Sequence, residues 1–516
     1  MAIDERTMLT GTVEDRILTP ALRALITELE HRHGKRRTDL LNDRTQRRAQ
    51  LSEGHVAFRE ETAHVRSTEW KVSPPPEALQ ERRVELIGGA TRSELINGLN
   101  AGAKSYIADL WNFTTADTWS MLRAHRSLER AARLDLAYLD PALGRIRINP
   151  ATTTRLMVVP RPLYALEGAL THDGDPVPAC FFDLALFALG SARELTARQG
   201  GVWIYLRDVQ GHLEARYWAQ VFTTLEEQLG LDRGTFRATV MIDSVAGALE
   251  ADEILFELMH HAAGLSFDPQ GYAADHVALF HGPETHVLPD REIIGLNAPF
   301  LRALSLLLIG TCHRRGCHAI GAPSFVLPPL DPMKVKASYL EMLADKEREA
   351  VDGHDGTIVV HSGTVNSAMM EFNKSMPRAN QLNYLRHDTI TPADLVRRPE
   401  GPITVDSLVG VIRTAMRALV QRHEGRGWVV QGGRLHDRTS LRLALRMLWQ
   451  WSHSKHGVIT ATGLVIQKDL LRYLVQKETG KMFGDADDQT RQYAEQAKAR
   501  LLELVTGDEV PLEPMV

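Results

Sequence analysis

The chain has 516 residues, a formal net charge of −5 and only three cysteines. This length predicts one large domain with appended parts rather than a single small core. The mild negative charge gives no reason to expect a nucleic-acid partner, and no apolar run reaches the length of about 18 residues that predicts a transmembrane helix. Without a CxxC pair, the cysteines predict neither a disulfide framework nor a zinc site.

The two ends of the chain carry no recognisable targeting signal. The opening stretch MAIDERTMLTGTVEDRILTP is charged throughout and lacks the apolar segment of a secretory signal. The final residues, EPMV, are not a peroxisomal address. We therefore expect a cytoplasmic protein without a membrane partner.

The pattern of apolar residues predicts the order of the structural elements. Residues 20–63 are rich in charge and carry apolar residues at helical spacing, which predicts amphipathic helices. After the turn Pro74-Pro75-Pro76, short apolar runs alternate with longer helical patterns. The predicted strands are residues 83–87, 105–108, 156–159, 202–206, 238–242, 276–280, 318–320 and 357–360. Eight strands that alternate with helices predict an α/β fold of the (β/α)8 barrel type.

The carboxy-terminal part is predicted to be helical. Beyond about residue 377, helical patterns return over residues 408–422, 441–451 and 468–505. We expect these helices to form a separate domain that packs against the barrel.

Six segments carry a specific resemblance to a known family. They read WKVSP at 70–74, QERRVE at 80–85, GHLEAR at 211–216, TCHRRG at 311–316, DKERE at 345–349 and DGHDGT at 352–357. These segments resemble the malate synthase family of the A type, and the resemblance extends from about residue 20 to Trp451. It implies an N-terminal helical clasp over residues 1–75, a TIM barrel over 76–370 and a C-terminal helical plug over 371–516.

The resemblance also implies a particular chemistry, because malate synthases join acetyl-CoA to glyoxylate. A carboxylate base takes a proton from the thioester methyl group, an arginine stabilises the enolate, and Mg²⁺ polarises the aldehyde. Mg²⁺ requires near-octahedral oxygen ligation, usually with one or two protein carboxylates. Barrel active sites lie at the carboxyl ends of the strands, so those ends indicate how much of this chemistry is kept.

Two of those strand ends depart from the family pattern. After the second predicted strand, the family's Ala-Asp-Phe-Glu-Asp is replaced by ADLWN, so Trp111 and Asn112 stand where two acids are expected. On the third strand, Val159 occupies the position of the family's catalytic arginine. Arg161 matches the second arginine of that pattern and shares the face of Val159, about 6.6 Å along the strand. Arg161 is therefore a candidate for the missing cation.

The metal-binding positions are altered as well. Asp243 stands where the family has a metal-binding glutamate, and it reaches one methylene less far. Gly271 occupies the position of the second metal ligand and has no side chain with which to coordinate a cation. A complete Mg²⁺ site therefore requires Asp268 or Asp275 to compensate, and without either one no cofactor is predicted.

The family's general base is retained in an altered context. Counting back from Trp449, the first tryptophan of Leu-Trp-Gln-Trp, the resemblance assigns the base to Asp437. Asp437 either acts as this base or only caps the helix that begins there. His436 and Arg442 replace two glutamates of the family on either side of it.

Three further pocket positions differ from the family pattern. Asp208 and Gln210 replace a lysine and a glutamate after the fourth strand. Ser362 replaces a proline after the strand on the CoA side. The newly placed charges of Asp208, His436 and Arg442 indicate a rebuilt site rather than a decaying one.

Three interpretations stay open. In the first, the protein is an enzyme that binds an acyl-CoA or another thioester and an unidentified co-substrate. It makes or breaks a carbon–carbon bond by Claisen-type chemistry, or hydrolyses the thioester, without the usual Mg²⁺–glyoxylate site. In the second, it is a non-catalytic relative that binds a ligand or a protein. In the third, it is a conventional malate synthase with compensating metal ligands. The newly placed charges favour the first.

Overall fold

The computed structural model describes residues 19–115, 117–281, 287–331 and 336–511. The predictions about targeting signals concern the chain ends, which lie outside these residues except for Thr19 and Pro20. Within the described ranges, no helix is both long and apolar enough to cross a membrane.

Helical segments precede the barrel. They are α1 (Pro20–Leu29), a π-helical turn (Glu30–Gly34), α2 (Lys35–Ser52) and α3 (Ala63–Ser67). The Thr19 side chain caps α1 by accepting a hydrogen bond from the backbone N–H of Leu22, and Pro20 occupies the first turn. The apolar face of α1 is buried at the residues that the helical spacing predicts: Leu22, Leu25, Ile26 and Leu29.

Eight parallel strands close into a barrel, which confirms the predicted (β/α)8 fold. They are β1 (Arg82–Gly88), β2 (Ser105–Asp109), β3 (Arg155–Val159), β4 (Val202–Leu206), β5 (Phe236–Ile242), β6 (Ala262–Phe267), β7 (His318–Ser324) and β8 (Gly356–Val359). Apolar side chains from several strands, including Ile107, Met157 and Met241, pack together in the barrel interior.

Helices and two hairpins surround the barrel. The helices are α4 (Arg92–Leu99), α5 (Thr118–Ala132), α6 (Ala179–Gln199), α7 (His212–Leu229), α8 (Val245–Leu249), α9 (Ala251–Glu257), α10 (Pro269–Leu279), α11 (Pro299–Arg315), α12 (Ala337–Asp352) and α13 (Val365–Ser375). Residues Ala137–Asp140 pair with Gly144–Arg147, and Leu166–His172 pair with Asp175–Pro178.

The prediction of a strand at residues 276–280 is wrong. These residues belong to the end of α10 and the position that follows it, and the sixth strand is β6. A short apolar run does not distinguish a strand from a fully buried helix. β6 is hard to predict because it contains Gly264 at a φ of 150°, where a Cβ would lie 2.1 Å from the carbonyl oxygen of His318. The close approach of β7 therefore requires glycine there.

The carboxy-terminal part is helical, as predicted. It contains α14 (Val405–His423), α15 (Arg438–His453), α16 (Lys468–Phe483) and α17 (Asp488–Thr506). A short hairpin of Val429–Gln431 and Arg434–His436 leads into α15. The N–H of Leu435 donates to the carbonyl of Phe325 at 2.8 Å, which holds the hairpin against the segment after β7. The division of the chain at residues 75 and 370 stays a prediction.

Candidate active site

Asp437 lies where the hairpin meets α15. It caps α15, because its Oδ1 accepts hydrogen bonds from the N–H of Ser440 at 2.9 Å and from the Ser440 hydroxyl at 3.1 Å. The side chain is buried, and its Oδ2 has no hydrogen-bond partner among the described residues. The capping role and a role as base are therefore compatible, since each uses a different oxygen.

A buried arginine near Asp437 was missed by the sequence analysis. Arg207 directly follows β4, and its Nη1 donates to Oδ2 of Asp268 at 2.8 Å. Its Nε lies 3.2 Å from Oδ2 of Asp109, and it is close enough to Asp437 for their charges to interact. Within the described part of the chain, Nη2 of Arg207 has no hydrogen-bond partner. Nη2 of Arg207 can therefore donate a hydrogen bond to a ligand.

Backbone donors fix the two acids that hold Arg207. Oδ1 of Asp109, the last residue of β2, accepts two N–H groups of the following turn, each at 2.8 Å. Oδ1 of Asp268 caps α10 by accepting two N–H groups at 3.0 and 3.1 Å. Each acid therefore presents its other oxygen to Arg207, which fixes the guanidinium from two sides.

Burial and the nearby Asp268 carboxylate raise the pKa of Asp437 to about 6. The hydrogen bond from Ser440 and the positive charge of Arg207 oppose this rise. A carboxyl group with such a pKa is mostly ionised at neutral pH and still basic enough to take up a proton. The environment of Asp437 therefore suits a general base.

A second group of charges lies after β4 and β5. Asp208 has a left-handed backbone with a φ of 55°, and its N–H donates to Oδ2 of Asp243 at 3.1 Å. Nη1 of Arg442, from α15, lies 3.5 Å from Oδ1 of Asp208. A Cβ added at Gly271 would lie 2.8 Å from Cβ of Asp243 and 3.4 Å from Nη2 of Arg442. Burial and the Asp208 carboxylate raise the pKa of Asp243 well above its usual range.

The two predicted substitutes for a metal ligand are already engaged. Asp268 binds Arg207, as described above. Asp275 lies 2.5 Å from Nη1 of Arg48 and accepts the N–H of Val245 at 2.9 Å. Over the ranges that the structure describes, no three histidine, cysteine or acidic side chains are grouped so as to hold a metal ion.

The loop after β2 docks on the start of α15. The guanidinium carbon of Arg438 lies 3.6 Å from the ring centroid of Trp111. Nδ2 of Asn112 donates to the hydroxyl of Thr439 at 2.9 Å. Trp111 and Asn112 therefore contact the two residues that directly follow Asp437. Both stay candidates for the substrate pocket next to Asp437.

Arg161 lies in a separate buried ion-pair network. Its Nη2 is 2.8 Å from Oδ1 of Asp183, and its Nη1 is 2.9 Å from Oε2 of Glu167. Both acids and the arginine are buried. Val159 packs inside the barrel with the other apolar side chains. The structure thus joins Arg161 to two acids that neutralise it, and its role in catalysis stays a prediction.

The remaining predicted residues lie in three different environments. Burial and the charge of Arg291 lower the pKa of His436 to about 4, so its ring is neutral at physiological pH. Oε1 of Gln210 accepts a hydrogen bond from Arg48 of α2 at 3.4 Å. Ser362 is exposed in a short 3₁₀ turn after β8. Gln210 therefore contacts the amino-terminal helices, and Ser362 faces solvent.

A groove of about 1130 Å³ runs beside the loop after β2. Its lining combines cationic and aromatic side chains: Arg92, Arg123, Arg126, Arg130, Arg426, Phe113, Trp119 and Trp428. The indole N–H of Trp428 donates to Glu94 at 2.9 Å, which ties the segment before the hairpin to α4. The groove therefore borders both elements that lead to Asp437, the loop after β2 and the hairpin before α15.

One sequence signal points to the arginine that the prediction missed. Arg207 comes directly after β4, all five of whose residues are buried. A charged residue in that place lies at the carboxyl end of a barrel strand, where functional side chains collect. Its acidic partners come from other strand ends, and only the folded barrel brings them together.

The fold and the site together define a class of protein. It is a TIM barrel with buried acids and an arginine at the carboxyl ends of its strands, closed by a helix that carries a further carboxylate. The family model described as "Malate synthase, TIM barrel domain" matches residues 155–398.

Named relatives identify the family. A malate synthase of Streptomyces clavuligerus is 36% identical, covering 91% of this chain and 88% of that protein. One of Myxococcus xanthus is 34% identical, covering 94% and 90%. Malate synthase A of Escherichia coli is 31% identical, covering 97% and 94%. The chain belongs to the malate synthase family.

Proposed function

We propose that the protein is an acyl-CoA-dependent enzyme with chemistry at the thioester carbonyl or at the carbon next to it. It makes or breaks a carbon–carbon bond there, or hydrolyses the thioester, without the usual Mg²⁺–glyoxylate site. One observation carries the proposal. In one buried cluster, Oδ2 of Asp437 and Nη2 of Arg207 both lack a hydrogen-bond partner among the described residues. A base and a hydrogen-bond donor are the two groups that enolate formation requires.

Asp437 and Arg207 have separate roles in this reaction. Asp437 takes a proton from the α-carbon of the thioester through Oδ2, while Oδ1 stays bound to Ser440 and keeps the carboxylate in place. Nη2 of Arg207 donates a hydrogen bond to the carbonyl oxygen of the thioester as negative charge develops on that oxygen. Because Asp109 and Asp268 hold the guanidinium from two sides, this donor is oriented before the reaction begins.

The groove supports an acyl-CoA as the ligand. Its five arginines suit the phosphate groups of CoA, since guanidinium groups form paired hydrogen bonds with phosphate oxygens. Its aromatic side chains offer surfaces on which an adenine ring stacks. The groove also borders the loop that holds Trp111 and Asn112, whose side chains contact the two residues after Asp437.

Three carboxylates of the site are paired with arginine and are therefore poor ligands for a Mg²⁺ ion. Asp268 and Asp109 bind Arg207, and Asp275 binds Arg48. A hard cation needs several oxygen ligands that are not already paired with guanidinium groups. The described donor set therefore supports a reaction whose electrostatic stabilisation comes from arginine.

A conventional malate synthase is the second candidate. It is favoured by the relatives named malate synthase, which are up to 36% identical along nearly their whole length. On this alternative, acetyl-CoA and glyoxylate are the substrates, and the acids after β4 and β5 rearrange around a metal ion.

Calorimetric titration with acetyl-CoA distinguishes these candidates. We expect acetyl-CoA to bind with the same affinity whether or not Mg²⁺ and glyoxylate are present. Binding that requires both would support the conventional reaction. Absence of heat with acetyl-CoA and with longer acyl-CoAs would contradict the proposal and favour a non-catalytic relative.

The raised pKa of Asp437 predicts how activity depends on pH. A base works only when deprotonated, so kcat/KM should fall about tenfold per pH unit as the pH drops below about 6. Release of free CoA, or exchange of the α-proton, measured across this range checks the prediction. A flat profile down to about pH 4.5, near the usual pKa of a carboxyl group, would contradict it.

Two exposed arginines of α5 test the role of the groove. The double substitution Arg123→Gln and Arg126→Gln should weaken acetyl-CoA binding about tenfold, because each removes a phosphate partner. Arg133→Gln, just beyond the same helix and outside the groove lining, is the matched control. Calorimetry should find the control unchanged, and equal affinity for all three proteins would rule out the groove as the CoA site.

A further inference from the structure

The place where a divalent cation is expected contains a guanidinium group. The backbone N–H of Asp208 binds Asp243 at 3.1 Å, which keeps the two acids adjacent. Nη1 of Arg442 lies 3.5 Å from Asp208, and its Nη2 lies 3.4 Å from the position that a Cβ of residue 271 would occupy. That position is itself only 2.8 Å from Cβ of Asp243. The guanidinium of Arg442 therefore lies beside Asp208 and next to the position of the missing ligand, close enough to Asp243 for their charges to interact.

We propose that Arg442 takes the place of the metal ion, so that the cation of this site is part of the chain itself. The position of Arg442 supports this. It is the fifth residue after Asp437, on the same helix that delivers the proposed base. The positive charge and the base thus reach the barrel mouth on one rigid element, with a fixed separation.

The sequence around the site fits this exchange of cations. Gly271 provides no carboxylate, and Arg442 adds a positive charge where the family resemblance places a glutamate. Each change would weaken a metal site, and Arg442 supplies a positive charge beside the acids that remain. Asp208 is then paired with a permanently charged guanidinium, which also interacts with the nearby Asp243.

The exchange also defines the class of co-substrate, a step that rests on the proposed function. A guanidinium attracts a carbonyl oxygen through hydrogen bonds, but it does not chelate two oxygens of a 2-oxo acid at metal–ligand distances. We expect an acceptor with a carbonyl group that is bound by hydrogen bonds alone. Glyoxylate loses here the chelation of its aldehyde and carboxylate oxygens that a metal ion provides.

Manganese binding tests the inference directly. Mn²⁺ prefers the same oxygen ligands as Mg²⁺, and bound Mn²⁺ is detected by electron paramagnetic resonance. The unchanged full-length protein should bind Mn²⁺ in this site only weakly and well below one ion per chain. Arg442→Glu should raise the affinity for Mn²⁺ at least about tenfold. The substitution replaces a guanidinium that repels the cation with a third carboxylate beside Asp208 and Asp243. Arg417→Glu, an exposed change on α14 with the same net charge, is the control and should leave Mn²⁺ binding unchanged.

Two results would overturn the inference. One is stoichiometric Mn²⁺ on the unchanged protein that disappears in Asp243→Asn. The other is equal Mn²⁺ affinity for Arg442→Glu and Arg417→Glu when circular dichroism shows both to be folded. The measurement on the unchanged protein needs no variant. Because Mn²⁺ binding does not depend on turnover, this measurement also distinguishes failure of this inference from failure of the proposed reaction.

Discussion

Asp437→Asn should abolish exchange of the α-proton of acetyl-CoA with solvent and leave the fold intact. The amide oxygen of asparagine still accepts the N–H of Ser440, and asparagine caps helices about as well as aspartate. The substitution therefore removes the basic oxygen without removing the cap. Loss of a positioned base should lower the exchange rate about 10² to 10⁴-fold. Proton exchange followed by nuclear magnetic resonance, with thermal unfolding alongside, measures both effects.

Asp487→Asn provides the matched control for this prediction. Asp487 caps α17 in the same way, because its Oδ1 accepts a hydrogen bond from the N–H of Thr490 at 2.8 Å, but it is exposed. The same substitution there should change neither exchange nor stability appreciably. Wild-type exchange in Asp437→Asn would show that this carboxylate only caps its helix.

Arg207→Leu has the second large expected effect, on both stability and chemistry. It leaves Asp109 and Asp268 buried without their cation, which should lower the free energy of unfolding by about 3–5 kcal/mol. It also removes the proposed hydrogen-bond donor to the enolate oxygen, which should lower kcat by about 10² to 10³-fold. Denaturant unfolding and steady-state kinetics measure the two effects separately.

The pH profile distinguishes chemistry from misfolding in the Arg207 variants. Arg207 lowers the pKa of Asp437, so Arg207→Leu should move the acidic limb of kcat/KM to higher pH. Arg207→Lys keeps the charge but loses the planar fork, so it should restore the position of this limb with only part of kcat. A destabilised variant with normal kcat and an unmoved limb would assign Arg207 a purely structural role.

The sequence predicted the barrel well because its strands have short apolar runs between helical patterns. It failed at β6, where Gly264 and small side chains give little strand signal and the following helix is almost entirely buried. The order of the strands around the barrel then follows from chain order alone.

The candidate site was predicted less completely, because position-by-position comparison with a family does not show which residues meet in space. Asp437 was found by its spacing from Trp449. Arg207 was missed because its partners, Asp109 and Asp268, follow other strands. Arg161 was singled out for its place on β3, yet its charge is balanced by Asp183 and Glu167, whose positions no periodicity predicts.

Deuterium uptake into the methyl group of acetyl-CoA tests the central claim most directly. The protein is incubated with acetyl-CoA in D₂O with a chelator and without glyoxylate. We predict that uptake proceeds under these conditions, because Asp437 and Arg207 suffice to form the enolate, and that Asp437→Asn abolishes it. Uptake that begins only when Mg²⁺ and glyoxylate are added would contradict the account and assign the protein conventional malate synthase chemistry.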